Sequence, residues 1–221
     1  MIGRAAVAAV AWALCASPHA ALAQEPELQL PQSRKQARLP VIVFFDGAGR
    51  DAFSSVLKRG DYAGVTARPA GVDEARAVIG WVRANAQKHG LDAERIAVWG
   101  QGAAARLALM VGLDDGEKNG IAAVVNFAGV ADLRALDGRK AHDWRASPVA
   151  YATLGDPPVL TVHGTEDAVV PYDQAVRLDV ALRKAGVRST LVRMEGAGHG
   201  ELAAAAQVHV AGFLARHLLV R

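Results

Sequence analysis

From Leu39 onward the chain alternates short apolar runs, rich in β-branched residues, with longer stretches of helical period. That alternation is the signature of βαβ units, because parallel strands can be joined only by a crossover long enough to hold a helix. The apolar runs cover 40–45, 62–67, 95–99, 122–127, 158–163 and 190–194. They lack a polar–apolar alternation, as strands buried on both faces should. Between them, 73–88 sets Ala75, Val78, Ile79, Val82 and Ala86 on one helical face, with Asp73 placed to cap it. Residues 103–111 and 172–185 read as further helices, the second stopped by Gly186. A last helix is expected over 201–219, with Val208, Ala211, Phe213 and Leu218 toward the sheet. The expected fold class is α/β: about six mostly parallel strands, doubly wound, with helices on both faces. Sheets of this kind carry function in the loops at the carboxyl ends of their strands.

The start of the chain has a different composition. Arg4, an apolar stretch from Ala5 to Ala16 and the small residues of Ala21-Leu22-Ala23 form the three-part pattern of a secretory leader over 1–23. The apolar stretch is shorter than the roughly 20 residues of a membrane span. An extended arm over 24–38 and one domain over 39–221 are expected to follow, in a secreted or periplasmic protein without a membrane span. Cys15, the single cysteine, lies within the leader, which excludes thiol chemistry, disulfides and cysteine metal ligands downstream of it. A net charge of +3 and basic residues scattered singly leave no nucleic-acid footprint.

Three strand ends carry the residues with chemical potential. Residues 95–99 lead through Gly100-Gln101-Gly102-Ala103-Ala104 into a helix, where G-x-S-x-G would form a nucleophile elbow. Gly102 stands in the serine's place, and a plain tight turn is the competing reading. After 158–163 comes Gly164-Thr165-Glu166-Asp167, whose Asp167 can accept a hydrogen bond from an imidazole on a neighbouring loop. His163, at that strand's end, is expected to pack and bond the backbone. After 190–194, His199 sits among glycines that let it be presented rather than buried. The order nucleophile position, acid, base, each following a strand, is that of a hydrolase triad. The first strand ends in Asp46-Gly47-Ala48-Gly49, where a glycine-rich loop can offer backbone donors to an oxyanion, although Asp46 would set a negative charge beside it. No P-loop spacing of lysine and Ser/Thr is present, and no cofactor or metal is expected.

On these motifs the chain resembles the small bacterial esterases of the α/β-hydrolase superfamily, near the acetylxylan and feruloyl esterase-like and hormone-sensitive-lipase-like groups. The resemblance runs from about Leu39 to Leu219 and is closest over 81–109 and 146–200. It implies an α/β-hydrolase fold, with Asp167 as acid, His199 as base, and oxyanion donors from the backbone of Gly47 or Ala48 and of Ala103. The chain departs from the pattern at Gly102, at Asp46 and in a short segment between Gly49 and Tyr62. Ser54, Ser55 and Ser147 are not in elbow settings. The resemblance therefore implies a carboxylesterase descendant deficient in serine-ester hydrolysis, with a small ester, acid or sugar-linked molecule as ligand. Two alternatives stay open: a non-covalent hydrolase or lyase using His199 and Asp167 as general base, and a ligand- or partner-binding domain.

Overall fold

A computed structural model describes residues 22–34, 36–45, 50–113, 120–136, 144–200 and 202–220. Its centre is a seven-stranded sheet made of β1 (Glu27–Gln29), β2 (Leu39–Phe45), β3 (Ala63–Ala67), β4 (Leu91–Gln101), β5 (Ile121–Phe127), β6 (Val159–Gly164) and β7 (Ser189–Met194). The strand order is β1-β3-β2-β4-β5-β6-β7. All pairings are parallel except β1 with β3, in the register Leu28↔Val65. The extra strand relative to the six expected is β1. It lies in the arm, where Glu-Leu-Gln shows no apolar run, and it forms because β3 presents an unpaired edge.

Helices α1 (Arg50–Leu57) and α5 (Leu202–Leu214) pack on one face of the sheet, while α2 (Val72–His89), α3 (Ala103–Leu113) and α4 (Asp173–Lys184) cover the other. The sheet's central strands are sealed on both sides, and all seven residues of β2 are buried. Edge strand β7 is only half buried, so burial on both faces does not extend to it. Under α1, Phe44 stacks on Phe53 at 4.8 Å and Trp99 meets both edge-on, an arrangement favourable to aromatic rings. This cluster holds the last turn of β4, just ahead of Gly102.

Some local expectations are corrected. Helix α2 is capped by Gly71 without a side-chain bond, and Asp73, two positions past the cap, pairs with Arg76 at 3.2 Å. Glu74 instead reaches back to the Ala70 N–H at 2.9 Å. The last helix ends at Leu214 and continues as a wider turn over Ala215–Leu219. It buries Ala206, Val210, Phe213, Leu214 and Leu218, so Phe213 and Leu218 turn inward as expected, while Val208 is 80% exposed and Ala211 only half buried. Helix α1 was not expected at all. Most of the proposed leader, 1–21, lies outside the described residues, and Leu22 packs against the core. No helix among the described residues is long and apolar enough to cross a membrane.

Strand order places the site. β2 has β3 on one side and β4 on the other, so successive crossovers leave in opposite directions between β2 and β4. Open α/β sheets bind ligands outside the carboxyl ends of the strands at such a switch point. Here that end of β4 is Gln101, followed at once by Gly102.

Candidate active site

Strand β4 passes into α3 through Gly102 alone. The residue adopts φ +57°, and its N–H donates to the Phe127 carbonyl at 2.8 Å, which fixes the turn against β5. A left-handed backbone costs a residue with a Cβ about 1–2 kcal/mol, so glycine is the relaxed occupant. At Gly100 the helix folds back so closely that a Cβ would overlap the carbonyl of Ala104. Together these two positions make the sharp strand–turn–helix geometry of an elbow. Ala103 heads α3 and is exposed, and the N–H at that position has no intrahelical acceptor.

The acid comes from the loop after β6. Asp167 is 7% exposed, and its Oδ1 accepts from the Val169 N–H at 2.9 Å and the Val170 N–H at 2.8 Å. Its Oδ2 accepts from Nδ1 of His199 at 2.7 Å. Burial pushes this carboxyl upward, but the bonds from Val170, His199 and Val169 together outweigh it and hold the group below the usual carboxylate range. The side chain is therefore an anion with each oxygen already engaged.

His199 is presented by a loop that is tied down on two sides. Toward β6, the Gly196 N–H donates to Thr165 Oγ1 at 2.9 Å and the Glu166 N–H to the Ala197 carbonyl at 3.1 Å. Toward the elbow, Gln101 donates through Nε2 to the His199 carbonyl at 3.0 Å, while its buried Oε1 has no partner among the described residues. Because Nδ1 carries the proton donated to Asp167, the lone pair of neutral His199 lies on Nε2. That nitrogen faces the elbow: a Cβ on residue 102 would stand 3.2 Å from Nε2 and 3.7 Å from Cε1. With its side chain 26% exposed, the imidazole is open to solvent-borne molecules.

A second histidine braces the acid. His163 is fully buried; its Nε2–H donates to the Val170 carbonyl at 2.8 Å and lies 3.4 Å from Asp167 Oδ2. Burial pushes this imidazole down toward its neutral form, against the opposing pull of Val170 and Asp167. The expected backbone bond is thus present, and the proximity to Asp167 follows from the tight loop that returns Val170 to the strand end. Gln101 was not singled out from sequence. Its only signal there was its place inside the elbow motif.

Of the sequence candidates, Gly102, Asp167 and His199 come together, with Ala103 beside them. Asp46, Gly47 and Ala48 lie outside the described residues. Ser147 is buried and accepts from the Leu133 N–H at 3.0 Å, whereas Ser55 faces Gln207 across α1 and α5 at 3.5 Å. Among the described residues no group of three or more His, Cys, Asp or Glu is placed to hold a metal ion.

Known proteins share this arrangement of strands and helices. A truncated carbohydrate esterase from gut microbiota superposes with a TM-score of 0.77 over 87% of this chain and 90% of its own, at 22% identity. Esterase 2 of Thermogutta terrifontis, in its paraoxon-phosphorylated form, gives 0.73 over 88% and 90%, at 27% identity. The fold is that of the α/β hydrolases. Residues 59–146 match the BD-FAE family and residues 139–219 the TAP-like proteins. Esterase LipC of Mycobacterium tuberculosis is 30% identical over 166 residues, 60% of this chain and 41% of its own length. The chain thus spans well under half of that curated relative. These matches support an esterase-like α/β-hydrolase family.

Proposed function

We propose that this chain is an exported descendant of the carboxylesterases in which position 102 is a nucleophile position without a side chain, so that serine-ester hydrolysis has been lost. The observation that carries the reading is the 3.2 Å separation between His199 Nε2 and a Cβ on residue 102. A hydroxyl on that Cβ would fall within hydrogen-bond reach of a nitrogen already polarised by Asp167. Removing the serine of such a triad costs on the order of 10⁶ in turnover, leaving only what binding and oxyanion donors contribute. The donors in this reading are the backbone of Gly47 or Ala48 and of Ala103. A small ester, acid or sugar-linked molecule is the ligand, consistent with the esterase relatives.

A second reading rests on a specific observation as well. Among the described residues no group bonds Nε2 of His199, which leaves it able to take a proton directly from a water molecule and act as a general base without a covalent intermediate.

One experiment separates these. The protein starting at Gln24 is assayed with p-nitrophenyl acetate and with paraoxon, beside a Gly102→Ser variant. The variant should hydrolyse the ester at least about 100-fold faster than the natural chain, and paraoxon should phosphorylate it alone. Ester hydrolysis by the natural chain at ordinary enzymatic rates, abolished by His199→Ala, would replace the first reading with the second. Export is tested by intact mass: protein recovered from a secreting host should begin at Gln24.

A further inference from the structure

We infer that Gln24 is a modification site: once the leader is removed, its α-amine closes onto its own side-chain carboxamide, and the finished chain begins with a pyroglutamyl ring. This rests on the export reading above, in which cleavage follows Ala23.

Two observations meet at this residue. The small residues Ala21 and Ala23 put the scissile bond directly before a glutamine. Glutamine is the residue whose carboxamide lies at the distance that closes a five-membered lactam with its own α-nitrogen. The fold, for its part, leaves this glutamine unoccupied. Ala23, Gln24 and Glu25 are exposed and belong to no helix or strand, whereas Pro26 is buried and β1 begins at Glu27, so the cut chain is anchored only from its third residue onward. Among the described residues no hydrogen bond engages the Gln24 carboxamide. Gln24 borders a cleft of about 400 Å³ beside Ala67, Pro69 and Val78 and another of about 260 Å³ beside Arg50 and Thr66. The side chain therefore has room to fold back on its own amine.

The reaction needs no partner molecule. An α-ammonium has an ordinary pKa of about 8, so part of it is unprotonated near neutrality and carries a nucleophilic lone pair. That nitrogen bonds to Cδ of its own side chain, the bond from Cδ to Nε2 breaks, and a proton passes to the departing nitrogen, which leaves as ammonia. Nothing is oxidised or reduced. Attacker and target share one residue, and well-oriented intramolecular reactions of this kind reach effective concentrations of roughly 10⁵–10⁸ M. The product is an uncharged lactam, so the arm loses its terminal charge. It also offers no α-amine to an aminopeptidase, at the start of the arm whose β1 covers the edge of β3.

The test uses the natural chain, exported from a secreting bacterial host and held for several days near neutral pH. Tandem mass spectrometry of the N-terminal peptide should show most of the protein starting at Gln24 and lighter by one ammonia, with the loss located on that residue. Edman degradation should stall there. Pyroglutamyl peptidase should release the block, after which Glu25, Pro26 and Glu27 are read in turn. Gln24→Ser, cut at the same bond, should keep its full mass and be read directly from its first residue. A natural chain that starts at Gln24 and retains both its ammonia and its free amine overturns the proposal, while the leader reading stands. A block that persists in Gln24→Ser overturns it as well, because the modification would then lie elsewhere. A natural chain cut at another bond, or left uncut, fells both readings together.

Discussion

The loop after β6 turns two of its own N–H groups onto the Asp167 carboxylate and holds the His199 imidazole with it, whereas the turn after β4, facing it across the same carboxyl edge, presents a residue with no side chain. The two halves of the site are maintained by different physics. Asp167 closes its own loop through Val169 and Val170 and anchors the His199 loop, so it contributes to folding whatever it does chemically. A serine at 102 would contribute nothing of the kind, because at φ +57° a side chain is a conformational cost. Glycine at 102 keeps the turn relaxed, whereas removing the acid would strain the fold. Retention of the Asp167–His199 pair is therefore no proof of catalysis by itself, which is why activity with and without Gly102→Ser decides the matter.

The comparison is most exposed at Asp167. Asp167→Ala strands the Val169 and Val170 N–H groups and the Nδ1–H of His199 at once. It should destabilise by about 3 kcal/mol, the scale of charged hydrogen bonds removed from buried partners. Urea unfolding of the variant beside the natural chain measures it. A loss below that of Gly102→Ala would mean the acid loop is held by something else, and the contrast between the two halves would be lost.

Next in size is Gly100→Ala. A Cβ there meets the Ala104 carbonyl and the start of the α3 backbone, which cannot rotate aside as a flexible side chain would. Overpacking of this kind costs about 2 kcal/mol. Gly102→Ala should cost less, about 1 kcal/mol, since it adds backbone strain but meets only the His199 ring tip. Thermal unfolding should rank Gly100→Ala below Gly102→Ala. The reverse order would show that position 102 is locked by packing rather than by backbone conformation.

What could be read in the sequence divides along similar lines. The buried strands were legible because burial on both faces writes itself as continuous apolar runs, and α2 because Ala75, Val78, Ile79, Val82 and Ala86 share one face. Asp167, His199 and Gly102 were legible because each follows a strand in a fixed order. The face of α5 was legible only at Phe213, since an alanine-rich helix offers several near-equivalent apolar stripes, and packing against β5 and β6 chose Val210 and Leu214 over Val208. β1 has no signal of its own because its stability comes from the edge of β3. Gln101 tying the elbow to the His199 loop is a contact across 98 residues that no local pattern encodes.

The smallest expected effect concerns His163, which braces Asp167 without reaching the elbow. In the folded protein burial lowers its pKa from 6.5, and on unfolding it returns to that value. Between the two, the unfolded chain binds more protons than the native one, so stability should rise with pH through that window and flatten above 6.5. Asp167 acts in the same sense at lower pH. Its folded pKa lies below 3.8, so its contribution is present above 3.8 and is lost as pH falls through the folded value. His217 is also lowered, by burial and then by Arg188 and Arg216, and adds to the slope below 6.5. Urea midpoints taken from pH 4.5 to 8 should therefore fall toward acid in the natural chain. His163→Gln cannot titrate yet keeps an N–H for the Val170 carbonyl, so it should flatten part of that fall. His217→Gln should remove a separate, additive part, since the two histidines lie on different elements. An unchanged profile in His163→Gln would mean that folding leaves the pKa of this histidine where it is in the unfolded chain, and that burial beside Asp167 does not hold it neutral.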